Sequence, residues 1–347
     1  MLERAELRRS REQWKREVTA KCADCDFVSQ HVLPHISPVV PKAAPYAWSL
    51  DIVRALSTGR VTLRYEISGF GTVYGKAYYD TCLGRNTYEL LQRLWQNGFG
   101  PRSQNQVPQP LAFVAEGNLM LLQEVRGAPL TGVLWTAPLD QAVQSMRAAA
   151  LWLARFHASD IPGLDVEPPC ERMEIMKVAD VLAKVAAKRR EYAPMLVQLL
   201  RQLDVAAEQA NPLPRLVPLH DQYRPAHVFV ADGSVVVIDV EKIRLSDPAK
   251  DVARFVHTIK KLCFETGGGD TARADRLAEE FTREYASLAP ENLENLPYFR
   301  AAYTLRAFAK ALKSRKVKET ERKNILECYR QEFERCLPES AKTLRAN

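Results

Sequence analysis

Residues 219–251 read LHDQYRPAHVFVADGSVVVIDVEKIRLSDPAKD, and the order of polar and apolar residues in this stretch decides the fold. Val228 to Asp239, VFVADGSVVVID, consists of two β-rich runs around Asp232-Gly233, the strongest short hairpin signal in the chain. Polar residues cluster at both ends of that hairpin: His220, Asp221, Gln222 and His227 before it, Asp239 after it. A strand-flanked loop of this composition suits a phosphoryl-transfer site. One carboxylate takes up the hydroxyl proton, while a second carboxylate and an oxygen or nitrogen ligand hold magnesium against the nucleotide phosphates. Asp239, following an apolar run, is the metal candidate.

Outward from this stretch, the N-terminal side changes period. Val61, Leu63, Tyr65 and Ile67 alternate with Thr62, Arg64, Glu66 and Ser68, the pattern of a half-buried strand. Gly69-Phe70-Gly71 turns the chain, and Thr72 to Tyr79 (TVYGKAYY) returns as a second strand. Asn86 is placed to cap a helix through Tyr88, Leu90, Leu91, Leu94 and Trp95, stopped by Gly98 and Gly100. Further strands are expected at Leu111 to Ala115 and Leu119 to Glu124. From about Gln141 helical spacing takes over: Val143, Met146, Ala150, Leu153 and Phe156 form one stripe, Leu277, Phe281, Tyr285 and Leu288 another. Strands and one helix followed by many helices make an α+β, two-lobed pattern.

Composition narrows the class. The 347 residues are 46% hydrophobic and 26% charged, as in an ordinary globular chain of about two domains. No apolar run approaches the ~20 residues of a membrane span. The opening MLERAELRRSREQWKRE mixes both charge signs, without the apolar centre of a secretion signal, and reads as a solvated helix. Seven cysteines, an odd number spread over the chain, point to reduced thiols and a cytoplasmic location. The net charge of +7 permits a phosphate-rich partner without requiring one.

At these residues the chain resembles the aminoglycoside phosphotransferase and choline-kinase-like branch of the protein-kinase-like fold. That family writes its catalytic loop H-G-D-x-x-P-x-N, followed by I-D-F/W and G-D-P-x-x-D; here the segments stand as H-D-Q-Y-R-P-A-H, I-D-V-E and S-D-P-A-K-D. Aligned on Pro225, His227 falls in the slot of the magnesium-binding Asn, Asp239 on the metal-binding Asp, and Asp247 and Asp251 on a structural acidic pair. VYGKAY resembles the third strand, which makes Lys76 the residue that grips the α and β phosphates of ATP, with Glu89 as its ion-pair partner. LMLLQEVRGAPL resembles the hinge, where backbone groups of Gln123, Glu124 and Val125 would bind adenine, and LARFHAS (Leu153 to Ser159) resembles the helix ending in a histidine signature. The resemblance covers roughly residues 47 to 290 on a domain-size prior. It implies a small antiparallel β lobe and a larger helical lobe, ATP and magnesium as cofactors, and phosphorylation of a small-molecule hydroxyl. The expected division is 1–46, a helix and Pro-rich connector; 47–125, the nucleotide lobe; and 126–347, the helical lobe with catalytic loop and substrate pocket.

One departure stands out. The catalytic aspartate slot holds Gln222, and the nearest carboxylate is Asp221, one position early. Glutamine cannot take up a proton as a carboxylate does. The catalytic candidates are therefore Asp221 and Gln222, and a nucleotide-binding module without turnover is the alternative. Two features lie outside this reading. Cys22-x-x-Cys25 with His31 and His35 has zinc-ligand types, but its spacing is far shorter than a zinc finger's. Arg306, Lys310, Lys313, Arg315, Lys316, Lys318, Arg322 and Lys323 form the largest basic cluster. Aromatic interleaving is absent there, which disfavours nucleic acid and leaves a solvated face, or a site for a phosphorylated substrate, an anionic lipid or an acidic partner.

Overall fold

The structure, a computed structural model, describes residues 2–36, 47–56, 58–167, 171–231, 233–265, 270–314 and 319–342. The first half runs α1 (Leu2–Cys22), α2 (Cys25–Phe27), β1 (Trp48–Leu56), β2 (Arg60–Ile67), β3 (Gly71–Tyr78), α3 (Thr81–Leu94), β4 (Asn105–Gln106), β5 (Pro110–Val114), β6 (Leu119–Gln123), β7 (Ala128–Pro129), α4 (Leu130–Thr136) and α5 (Leu139–His157). The second half runs α6 (Glu171–Ala186), α7 (Ala193–Glu208), β8 (Val217–Leu219), β9 (Val228–Ala231), β10 (Ser234–Val237), β11 (Arg244–Ser246), α8 (Ala249–Glu265), α9 (Thr271–Leu288), α10 (Leu296–Lys313), α11 (Glu319–Cys336) and α12 (Glu339–Lys342). Pro38, Pro41 and Pro45 of the Pro-rich connector, Asp232 of the hairpin turn and Arg315, Lys316 and Lys318 of the basic cluster lie outside the described residues. Among the described residues no helix is long and apolar enough to cross a membrane.

The chain forms two compact units, residues 1–127 with 231–241, and residues 128–230 with 242–347. The first is built on a five-stranded sheet of order β1-β2-β3-β6-β5, antiparallel throughout. The alternation along β2 is realised residue by residue, with Val61, Leu63, Tyr65 and Ile67 buried on one face. Gly69 (φ 79) and Gly71 (φ 111) make the turn into β3, a backbone that side chains other than glycine rarely adopt. The N-terminal helix departs from the solvated helix expected. Val18 and Cys22 are enclosed in the sheet's core with Trp14 packed against it, and Tyr65 donates to the Cys22 carbonyl at 3.1 Å. These residues recur at i, i+4 and i+8, so the helix carries one narrow apolar stripe beneath its many charges. Cys22 therefore faces the core, where burial pushes its thiol up to about 11, while Cys25 is exposed. Among the described residues no group of three or more His, Cys, Asp or Glu side chains is placed to hold a metal ion.

Helix α3 begins earlier than expected. Asp80, not Asn86, is its cap, accepting from the Leu83 N–H at 3.0 Å. Its end agrees with the glycine signal: Asn97 and Gly98 leave helical geometry, Gly98 at φ 96.

The second unit is mostly helical. α5 packs on α9, α8 on both α9 and α10, and α10 on α6 and α11. Its centre is an aromatic stack in which Tyr223 lies 5.7 Å from Trp152 and 5.0 Å from Phe255, and Phe255 lies 4.1 Å from Phe281. Two short ladders carry the loops that matter. β8 pairs antiparallel with β11, setting Arg244 opposite Leu219, and β7 pairs antiparallel with β9.

Candidate active site

Each unit holds its own set of polar residues. In the first, the register of β2 and β3 sets Arg60 opposite Tyr78 and Thr62 opposite Lys76. With period two, all four side chains leave the sheet on the face opposite Val61, Leu63 and Ala77. There Lys76 Nζ donates to Asp239 Oδ1 at 2.8 Å and to Glu241 Oε1 at 2.9 Å. The Tyr78 hydroxyl donates to Glu241 Oε1 at 3.0 Å, and Arg60 pairs with both carboxylates. Two cations thus face two carboxylates in a largely buried cluster. Burial pulls the Lys76 ammonium below its usual range, against the opposing pull of Asp239. Asp239 itself sits at φ 70, in the left-handed region.

Glu89 is not part of this cluster. It is exposed on α3, whose buried face consists of Gly84, Thr87, Leu91 and Leu94. At 100° per residue Glu89 lies on the opposite side of the helix from that face, so the expected ion pair with Lys76 is replaced by Asp239 and Glu241. Gln123 ends β6 and donates its N–H to the Gln109 carbonyl at 3.0 Å, and Glu124 and Val125 follow outside regular structure.

In the second unit, the loop after β8 is held at several points. The buried His220 donates its backbone N–H to Asp251 Oδ2 at 2.6 Å, and its Nδ1 accepts from the Gln222 N–H at 3.2 Å. His157 meets the same Asp251 oxygen through Nε2 at 3.4 Å, with Nδ1 2.6 Å from the Tyr285 hydroxyl. Burial would raise the Asp251 carboxyl, but His157, His220 and Arg254 hold it below the ordinary range. Tyr223 donates to the Ala149 carbonyl at 2.7 Å and anchors the loop in the aromatic core. Asp247 accepts from the Ala249 N–H at 2.9 Å and from Asn295 at 2.7 Å, fixing the start of α8.

Asp221 and Gln222 are both engaged by arginines. Asp221, at φ 57, has one oxygen 3.2 Å from Arg254 and the other 3.1 Å from Arg244. Gln222 Oε1 accepts from Arg224. His227 is half-buried in a short 3-10 turn, its ring 6.5 Å from that of His220. Among the described residues, the non-glycine positions with positive φ are Asn118, Asp221 and Asp239. Two of the three are therefore candidate site residues, consistent with strain concentrated where function needs it.

Four participants were not anticipated: Glu241, Arg60, Arg244 and Arg254. Glu241 had a signal in the sequence, as a second carboxylate two residues beyond Asp239. The arginines are brought in by strand register and helix packing, which periodicity does not report.

A family model, that of the phosphotransferase enzyme family, matches residues 83–291. Among curated proteins none matches significantly. Solved structures with a similar fold include a choline kinase from Cryptosporidium parvum Iowa II, 12% identical, with a TM-score of 0.56 over 90% of this chain and 94% of that one. The macrolide 2'-phosphotransferase MphH from Brachybacterium faecium is 19% identical, with a TM-score of 0.50 over 82% and 92%. A glucosamine kinase is 15% identical, with a TM-score of 0.54 over 86% and 79%. The shared architecture is the two-lobed, α+β protein-kinase-like fold.

Proposed function

The chain belongs to the phosphotransferase enzyme family, and from that premise we propose that it transfers the γ-phosphoryl group of ATP to a hydroxyl of a small molecule, with magnesium. The observation that carries this reading is the cluster of Lys76, Arg60, Asp239 and Glu241. Phosphoryl transfer needs little covalent help from the protein; it needs positioned cations and a metal held by hard oxygen donors. Asp239 and Glu241 supply carboxylate oxygens of that kind, so the residues present fit magnesium. Held by Asp239 and Glu241, the metal would supply positive charge to neutralise the nucleotide phosphates. His227 occupies the family's second ligand slot with a softer imidazole donor, which leaves Glu241 the better partner for Asp239 by donor chemistry.

In this reading Lys76 releases its carboxylates and grips the α and β phosphates. Arg60 remains to hold Glu241 in place. Backbone groups of Gln123, Glu124 and Val125 take the adenine, and Glu89 has no part in gripping phosphate. On the loop of the second unit, Asp221 or Gln222 orients the acceptor hydroxyl.

Both Asp221 oxygens already accept from guanidinium groups. That observation favours a second reading, a nucleotide-binding protein with little or no turnover. The test is ADP release from ATP and magnesium over a panel of hydroxyl compounds, in the wild type and in Asp239→Ala. Acceptor-dependent release abolished in the variant supports the enzyme. ATP bound without release from any acceptor supports the second reading.

A further inference from the structure

In two charged clusters of this protein every cation meets a carboxylate. Lys76 and Arg60 face Asp239 and Glu241, and the buried Glu280 is surrounded by Arg147, Arg276 and Arg283 on the open surface. The face of α10 beside the loop of the second unit is different. Tyr303, Arg306, Lys310 and Lys313 follow one another at three- and four-residue steps and so share one side of the helix. The buried Tyr303 ring is covered by two guanidiniums, Arg254 at 4.9 Å and Arg306 at 5.5 Å from its centroid, and its hydroxyl accepts from Arg254 at 3.3 Å.

The carboxylates here are too few for the cations. Asp221 is shared by Arg244 and Arg254, Glu167 by Arg244 and Lys250, and Glu174 by Arg306 and Lys177. Lys310 and Lys313 meet no carboxylate among the described residues. Burial, then the charges of Arg306, Lys261, Arg224 and Arg254, lower the Lys310 ammonium below its usual range, so Arg224 of the loop and Arg254 of α8 both contribute to the field at α10. His257 beside them is held down to about 3 by burial and by Lys261, Arg306, Arg254 and Lys310. The strip continues past the end of α10 into a groove of about 760 Å³, whose described lining includes Lys188, Arg189, Lys313 and Arg322 and no carboxylate. Concentrating like charge costs self-repulsion, and ordinary solvated surfaces intersperse the two signs.

Resting on the phosphotransferase reading, we propose that the acceptor is an anionic small molecule, carrying a phosphate or carboxylate besides its hydroxyl, and that Arg306, Lys310 and Lys313 bind that group. A cationic acceptor would meet like charge at this face, at a cost that opposes binding. The hydroxyl is offered to the loop at Asp221 and Gln222, and the γ-phosphoryl group passes from ATP to the hydroxyl oxygen, releasing ADP and a proton. The anionic group takes no part in the bond changes.

The test uses the full chain, with glucose 6-phosphate and gluconate as anionic probes, glucose as the neutral one, and kanamycin and choline as cationic ones. Binding is measured by calorimetry at low and high salt, and ADP release is followed in parallel. The variants are Lys310→Gln combined with Lys313→Gln, both exposed, and separately Arg306→Gln, which also touches the buried Glu174. The melting temperature and ATP affinity of each variant control for the fold. The proposal expects an anionic probe to bind, with affinity falling steeply with salt and about tenfold further in the double variant, while ATP affinity is unchanged. A neutral or cationic probe that binds or is phosphorylated equally well in wild type and double variant overturns it, as does absence of anion binding at low salt. Failure of the phosphotransferase reading looks different: anions bind through the lysines, but no compound elicits ADP release.

Discussion

Arg254 donates to one carboxylate oxygen of Asp221 at 3.2 Å while Arg244 holds the other at 3.1 Å. Asp221 is therefore an organising group for two guanidiniums as much as a candidate catalyst. Asp221→Ala leaves both arginines without that partner and is expected to cost about 3 kcal/mol of stability, read from urea unfolding. A loss under about 0.5 kcal/mol, the size of a surface ion pair, would show that the clamp is not formed in solution.

In the proposed reading Gln222 takes the slot of the family's proton acceptor. Gln222→Asp puts a carboxylate into that slot and is expected to raise the rate of phosphoryl transfer by about tenfold or more, since a positioned base contributes on the order of 10² to 10⁴. The measurement is the maximal rate of ADP release at saturating ATP. A variant that binds ATP normally and turns over no faster contradicts the role assigned to this position.

Tyr223 joins the loop to the helical core. Tyr223→Phe removes only the hydrogen bond to Ala149 and should cost about 1 kcal/mol. Tyr223→Ala also empties the space between Trp152 and Phe255 and should cost about 3 to 5 kcal/mol. Equal losses in the two variants, by chemical denaturation, would contradict the packing argument.

His257 lies between the Tyr303 and Tyr329 rings at 6.3 and 6.5 Å, its imidazole held down to about 3 from an ordinary value near 6.5. The folded state then binds fewer protons than the unfolded one between those values. Stability attributable to this group is complete above about pH 6.5 and is lost as pH falls toward 3, by up to about 1.4 kcal/mol per unit. His257→Gln should flatten the acid limb of the stability profile between pH 6.5 and 4. An unchanged slope in the variant would assign that limb to other groups.

The parts of the fold that could be read from sequence were those with a strict period or a fixed offset. The alternation of Val61 to Ile67 became β2, and the offsets among His220, Pro225, Asp239 and Asp251 located both polar sets. β1 carries only half a signal: Trp48, Leu50 and Ile52 alternate with Ser49 and Asp51, but the period breaks at the register shift between Ile52 and Arg54, with Ile52 at 56% and Val53 at 54% both exposed. The start of α3 was misplaced because Asn86 and Asp80 are both good caps, and only the hydrogen bond from Leu83 separates them. Lys76 was found by its strand, but its partners depend on which strand face meets the segment carrying Asp239 and Glu241, a matter of register. The arginines on Asp221 come from β11 and α8, which reach the loop only through tertiary packing.

The central claim is that Asp239 and its neighbours bind ATP together with magnesium, and calorimetry of ATP binding with and without magnesium tests it most directly. The account predicts magnesium-dependent binding in the wild type that is lost in Asp239→Ala while the variant keeps its melting temperature within a few degrees. ATP binding of equal strength in both proteins, or indifference to magnesium, would contradict it.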